Sequence, residues 1–416
     1  MTLYRSTRGV AEIVPFSVAV ERGLAPDAGL YVPVEWPSFS PSLLPAGPLS
    51  AIATAVLEPF LDNDVLAPHL GAIAEQAFNF PAPLTQLDND DRLSVLELFH
   101  GPTAAFKDFG ARFLAACLTR LRADTPKRLC ILVATSGDTG GAVAAAFHGK
   151  PGTDIVVLYP NGRVSPLQER QLTCWGGNVR AFAMRGTFDD CQRLVKATLD
   201  DAALRQHRDF SSANSINLGR LLPQMTYFAA ASLEVWRRHG EAASFIVPSG
   251  NLGHATACLW AKRVGMPIDQ IVLAHNANRT MVDYLDTGVW SPRASIATPA
   301  SAMDVGDPSN AERLRNMFSD IESLRSALRA VSIESAAIAP RIKHDHESYG
   351  QVWCPHTAIA AEAYARLDAV ERATRRWSLV ATAHPAKFRE IVEPAAGVSI
   401  ALPPSLAMIM ARPFTH

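Results

Sequence analysis

Residues 129–147 read LCILVATSGDTGGAVAAAF: an apolar run, a glycine-rich turn and a run of small residues in direct succession. The first six residues are branched and apolar without alternation, the pattern of a strand covered on both faces. The turn Ser136–Gly140 (SGDTG) leads into GAVAAAF, which reads as a helix. The unit recurs at 245–261 (FIVPSGNLGHATACLWA), where Ser249–Gly253 reads SGNLG. Further short apolar runs at 154–159 (DIVVLY), 179–184 and 270–274 are bounded by Gly or Pro, and helical stretches at 192–204, 220–238 and 255–264 lie between the runs. Continuous apolar strands alternating with helices predict parallel α/β sheets with helices on both faces.

At 416 residues the chain exceeds a single small core, so two or three packed units are expected. Residues 1–90 read as an accessory unit, with helical patterns at 16–21 and 48–61 separated by Pro33, Pro37, Pro41 and Pro45. The polar turn 87–92 (LDNDDR) is taken as its end. Two α/β units are expected after it, over 91–230 and 231–416, with some chain crossing between them. Residues 311–341 read as a helix-like packing or lid segment.

Hydrophobic residues make up 48% and charged residues 19%, a globular composition. Lys and Arg (39) nearly balance Asp and Glu (40), so no global field exists to hold nucleic acid or an anionic membrane. An anionic ligand must be held locally. Six cysteines without a C-x-x-C pair read as reduced thiols. The segment MTLYRSTRGVAEI lacks the apolar stretch of a signal peptide, and no run nears the roughly 18 apolar residues of a membrane helix. A soluble cytoplasmic protein is expected.

Each S-G-[DN]-x-G turn aims unpaired amides at one spot, at the positive end of a helix dipole, which makes two anion sites. The plainer reading is two ordinary strand-to-helix loops in which Gly permits tight geometry. Neither turn completes G-x-G-x-x-G. A P-loop also fails, because Gly149-Lys150 is followed by Pro151 and position 144 is alanine. The anion is then the phosphate of a cofactor or small substrate. Lys107, in GPTAAFKDFGARF (101–113), sits among small and aromatic residues. Lost hydration there would lower its pKa and make it an amine nucleophile. The alternative is a helix-starting lysine with its head in water. His344-Asp345-His346-Glu347 reads as a solvated turn, and Cys354 and His356 lack partners at zinc spacing, so no metal is assigned.

HGPTAAFKDFGARF (100–113) resembles the pyridoxal-phosphate lysine motif of the threonine synthases. ATSGDTGGAVAAAF (134–147), SANSINLGRLLPQ (212–224), VPSGNLG (247–253) and ATAHPAKF (381–388) match that family in chain order. YRSTRG (4–9), FSVAVERGLAPDAGLYVP (16–33), LYPNGRVSPLQERQL (158–172) and SAMDVGDPSN (301–310) fit as well. The resemblance implies a fold type II pyridoxal-phosphate enzyme: two three-layer α/β domains with parallel sheets, the cofactor between them, and an N-terminal accessory domain. It implies a lyase converting O-phospho-L-homoserine and water to L-threonine and phosphate, the last step of threonine biosynthesis. A monomer is expected over a dimer.

On the same basis Lys107 would hold the cofactor and act as the mobile acid/base. Ser249, Gly250, Asn251, Leu252, Gly253 and His254 would bind the cofactor phosphate, although the family often has other side chains at positions 252 and 254. Thr382 would face the pyridine nitrogen. Thr135, Ser136, Gly137 and Thr139 would face the substrate carboxylate, with Asp138 near the cofactor's 3-oxygen, where a carboxylate and a phenolate must share a proton. Asn214, Ser215, Asn217 and Arg220 would bind the substrate phosphate; Asn214 or Ser215 could equally cap a helix over 218–227. A serine/threonine dehydratase, an amino-alcohol phospholyase and a non-catalytic cofactor-binding homologue are the competing readings.

Overall fold

A computed structural model describes residues 2–87 and 90–413; residues 88 and 89 of the LDNDDR turn lie outside the described residues. Near the N-terminus, Val14–Pro15, Leu3–Ser6 and Tyr31–Pro33 form an antiparallel three-stranded sheet in that order. Helices Phe16–Arg22, Leu49–Leu57 and Leu70–Ala77 accompany it. Its aromatic residues bury against the next lobe: Phe16 packs on Tyr4 and on Phe113, with ring centroids 5.8 and 6.4 Å apart.

The alternation read from the sequence is present as two larger sheets. Four parallel strands run in the order Val179–Met184, Thr153–Pro160, Leu129–Ala134, Asp209–Ser212. Six run in the order Arg329–Ser332, Ile268–His275, Ala243–Pro248, Arg376–Ala381, Asp90–Glu97, Leu84–Leu87, parallel except for the last pair. Strands 129–134 and 243–248 are buried at every residue, as their unbroken apolar character requires. The chain enters the six-stranded sheet at 84–97, leaves to build the four-stranded sheet, and returns at 243. Leu93 thereby pairs with Trp377.

Several elements differ from the sequence reading for local reasons. The helix expected over 192–204 starts at Phe188, because Thr187 and Asp190 form a reciprocal capping box, and it ends where Asp201 caps a second helix, Ala202–His207. The helix over 220–238 is broken: Leu218–Leu221 passes through a 3₁₀ turn containing Pro223 into Met225–His239. Residues 311–341 are two short helices, Ala311–Met317 and Ile321–Ala327, then strand Arg329–Ser332 and the start of helix Ser335–Tyr349. His344–Glu347 lies inside that last helix, not in a turn. Asp345 is buried there, accepting from Trp353 Nε1 (2.8 Å) and Arg341 (3.0 Å). Among the described residues no helix is long and apolar enough to cross a membrane.

One buried cation joins three parts of the chain. Arg313 has no exposed surface and donates to the carbonyls of Tyr31 (3.1 Å), Ser215 (3.1 Å) and Ile216 (2.7 Å) and to Asn310 Oδ1 (2.6 Å). Burial pulls its pKa down to about 9. Arg313→Met removes all these donors and strands buried carbonyls, at a cost on the order of 3 kcal/mol. The expected result is a lower midpoint in urea denaturation, and an unchanged midpoint would show that the network is not structural glue.

Candidate active site

The strands ending at Ala134, Pro248 and Ala381 open on one cavity between the two larger sheets. It is a narrow cleft, with about 90 Å³ open to a water-sized sphere. Three helices begin at its wall: Lys107–Leu121, Asp138–Phe147 and Gly253–Arg263. None is capped by the side chain of its N-cap residue, and the positive ends of their dipoles face one space.

Lys107 is placed by the loop before it. The amide of Phe106 donates to Thr382 O (2.9 Å) and that of His384 to Ala104 O (3.0 Å), so 104–106 lies edge-on against 382–384. Asp108 is buried and accepts from the amide (2.8 Å) and hydroxyl (2.7 Å) of Thr103, fixing the entry to the helix. The Lys107 side chain is 15% exposed, with Nζ 3.7 Å from Asp138 Oδ2 and 5.0 Å from the centre of the Phe106 ring. The reading of a helix-starting lysine with its head in water is thereby overturned. Burial lowers its pKa, opposed by Asp138 and assisted by Lys387 and Arg220.

Asp138 is itself buried. Oδ1 accepts from Lys387 Nζ (2.8 Å) and Gln168 Nε2 (2.8 Å). Burial pushes the carboxyl up, yet the charges of Lys387 and Lys107 hold it well below the usual carboxylate range. Behind the turn, Thr135 Oγ1 accepts from the amides of Gly137 (2.9 Å) and Gly140 (2.8 Å). Gly137 has φ +128°, a conformation that disfavours a side chain.

The opposite wall is the loop 213–217 and the helix after it. Asn214 spans to the end of strand 129–134, accepting from Ala134 N (3.1 Å) and donating to Ala134 O (2.6 Å). Ser215 Oγ accepts from Asn251 (2.9 Å) and Asn310 (3.0 Å). The helix cap is Asn217, through Gly219 N (2.9 Å), and not Asn214 or Ser215. Arg220 follows, 2% exposed, donating to Ala213 O while its Nε is buried without a partner. Burial draws its pKa to about 10. A Cβ at Gly110 would stand 2.4 Å from Arg220 O, so only glycine lets the Lys107 helix approach this closely.

At the SGNLG turn, Leu252 takes φ +60° and Gly250 lies against Met303, whose Cα would be 2.8 Å from an added Cβ. His254 stacks on Phe106 at 4.2 Å and packs on Tyr227 and Phe228. Neither ring nitrogen has a partner, and burial pulls its pKa to about 3, so the ring is a neutral wall.

Of the residues singled out from the sequence, Lys107, Ser136, Asp138, Thr139, Asn214, Ser215, Arg220, Ser249, Gly250, Asn251, Leu252, Gly253, His254 and Thr382 line the cavity. Thr135, Gly137 and Asn217 stand behind it, holding the turns. Sequence reasoning passed over His356, which lines the cavity and accepts from Ala302 N (3.1 Å), and Gln168 and Lys387, which reach Asp138. The available signal was a second lysine in the apolar stretch AHPAKF.

The family description "Pyridoxal-phosphate dependent enzyme" matches residues 77–383, preceded by "Threonine synthase N terminus" over 3–78 and overlapped by "Threonine synthase, C-terminal" over 357–415. A threonine synthase of Haemophilus influenzae is 40% identical over 98% of this chain and 94% of its own. The crystal structure of the Escherichia coli threonine synthase superposes with a TM-score of 0.91 at 38% identity, covering 100% of this chain and 95% of that one. The pyridoxal-phosphate-bound threonine synthase of Brucella melitensis gives 0.90 at 36% identity, covering 100% and 96%. With the N-terminal, central and C-terminal regions all matched in order along one continuous chain, this protein belongs to the threonine synthases, a family of pyridoxal-phosphate-dependent lyases.

Proposed function

We propose that the cavity converts O-phospho-L-homoserine and water to L-threonine and phosphate, with Lys107 as the lysine that holds pyridoxal phosphate. The residues suit that cofactor: a desolvated amine, an uncapped helix start in a Gly-rich turn for its phosphate, and a Gly250 whose bare backbone packs directly on Met303. Amides of Gly250–Gly253 would take the cofactor phosphate, and the Thr382 hydroxyl its ring nitrogen. A hydroxyl there does not enforce protonation of that nitrogen. When bound, the cofactor supplies an electron sink conjugated to the substrate's α-carbon.

Arg220 carries the substrate assignment. It is a buried guanidinium with an unpartnered Nε and, among the described residues, no carboxylate within ion-pair distance. Such a cation suits a phosphate dianion. Arg220 with Asn214 and Ser215 would hold the substrate phosphate and stabilise it as it departs from Cγ. Ser136, Thr139 and the first-turn amides of the Asp138 helix would hold the substrate carboxylate, with Thr135 and Gly137 shaping that turn and Asn217 shaping the phosphate wall. Lys107 Nζ moves protons at Cα, Cβ and Cγ, one mobile base serving all three positions. Phe106 and the neutral His254 ring exclude bulk water from that traffic. The domain limits we adopt are an N-terminal unit over 1–90 and two α/β units, with Leu84–Leu87 and Asp90–Glu97 crossing into the second unit's sheet. We also read the protein as a cytoplasmic monomer; six buried, unpaired cysteines support the reducing setting.

Lys107→Ala is expected to lose the visible absorbance of the bound cofactor and more than about a thousandfold of turnover. Normal turnover in that variant would reject the assignment. Arg220→Met is expected to lower kcat/KM for O-phospho-L-homoserine by roughly a hundredfold, since charge-assisted bonds to a phosphate are lost. Inorganic phosphate should also cease to inhibit. Steady-state kinetics with unchanged constants would remove Arg220 from the phosphate site.

A further inference from the structure

Lys387 is a second lysine at the centre, and its side chain has no exposed surface. It does not line the cavity. Its Nζ is held by Asp138 Oδ1 at 2.8 Å and by Thr103 O at 2.9 Å, and its carbonyl accepts from Ser165 Oγ at 2.8 Å. Asp138 thus stands between two amines on unequal terms. Oδ1 is taken at hydrogen-bond distance by Lys387 and Gln168, whereas Oδ2 is 3.7 Å from Lys107 Nζ, beyond a hydrogen bond.

We propose that Lys387 is a positioning residue: it takes up the negative charge of Asp138, so that Lys107 is not captured as that carboxylate's ammonium partner and remains able to react as a free amine. The inference rests on the reading of Lys107 as the cofactor lysine. A lone buried carboxylate beside Lys107 would favour the protonated amine by one or more pH units. With Lys387 in place the aspartate is already neutralised, and the second ammonium repels a proton on Lys107. The ion pair also keeps Asp138 an anion.

The other ionisable groups do not take over this role. Asp138 is faced by Lys107, Lys387, His356 and the Cys354 thiol, whose pKa burial raises; Lys107 additionally by Arg220 and His254; Lys387 additionally by Asp108 and His384. His254 is pulled to about 3 and His356 and His384 to about 4, each chiefly by burial, so none changes charge between pH 6 and 10. Arg220 stays charged over most of that range. The titration of free pyridoxal phosphate is common to wild type and variants, so the difference between their midpoints reports Lys107.

The test removes pyridoxal phosphate from the full-length protein and follows the absorbance rise as it is added back, from pH 6 to 10. In this step the amine condenses with the aldehyde and releases water. Lys387→Met should raise the midpoint of the rate by about one pH unit or more, slowing reloading near neutrality about tenfold. Lys387→Arg should keep the wild-type midpoint. The pair Asp138→Asn/Lys387→Met should return it to near the wild-type value, because attraction and repulsion are removed together. A folded Lys387→Met protein with an unshifted midpoint overturns the inference, as does a double variant that stays shifted. Should Lys387→Met not fold, Lys387→Gln carries the same expectation. Borohydride reduction and peptide mapping separate the two readings. Label on Lys107 with an unshifted midpoint rejects the role of Lys387 alone, whereas label on any other lysine rejects the cofactor assignment and this inference with it.

Discussion

The centre of this protein is organised by buried positive charge that the protein alone does not balance. Lys107, Lys387 and Arg220 meet there with, among the described residues, only Asp138 and Asp108 as acids, and three helices add the positive ends of their dipoles. Burying such an excess is costly unless anions arrive or a proton leaves. The geometry allows both. Burial disposes Lys107 to shed its proton, and in the proposed assignment Arg220 and the Gly250–Gly253 turn take anions. Pyridoxal phosphate and a phosphorylated substrate bring two phosphates and a carboxylate, and so complete a centre that is electrostatically unfinished without them.

The fold was legible because its central strands are covered on both faces and so write themselves as unbroken apolar runs. Residues 129–134 and 179–184 appear with the expected limits, and 154–159, 245–247 and 270–274 fall inside slightly longer strands. The echo between 136–140 and 249–253 was legible for the same reason, as a strand end and a helix start have few chemical alternatives around glycine. Half-exposed edge strands were legible only in part: Val179–Met184 was read at its limits, whereas its counterpart in the larger sheet was not. Arg329–Ser332 carries little apolar pattern and was folded into a long helix reading, and the break at Pro223 needed attention to a single residue.

The cavity residues carried by motifs came through, whereas residues acting by pairing across the fold did not. Lys387, Gln168 and His356 lie far apart in sequence, and nothing local in each stretch says that Asp138 will meet them. Asn217 shows the opposite error. Its place in a polar cluster suggested ligand contact, but its side chain is spent on Val20 O, Ser212 O and Gly219 N. Hydrogen-bond capacity already consumed by the backbone is invisible in sequence.

The return of the chain to its first sheet also has a consequence for synthesis. Leu93 finds its partner at Trp377, and the cavity draws on segments from Phe106 to Thr382, with Lys387 behind it. A ribosome must release almost the entire polypeptide before these segments can meet. A nascent chain therefore has no cofactor site to fill, and a product truncated before residue 376 lacks a central strand, not a dispensable tail. Cofactor capture is in this sense the last event of folding, and it marks a completed molecule.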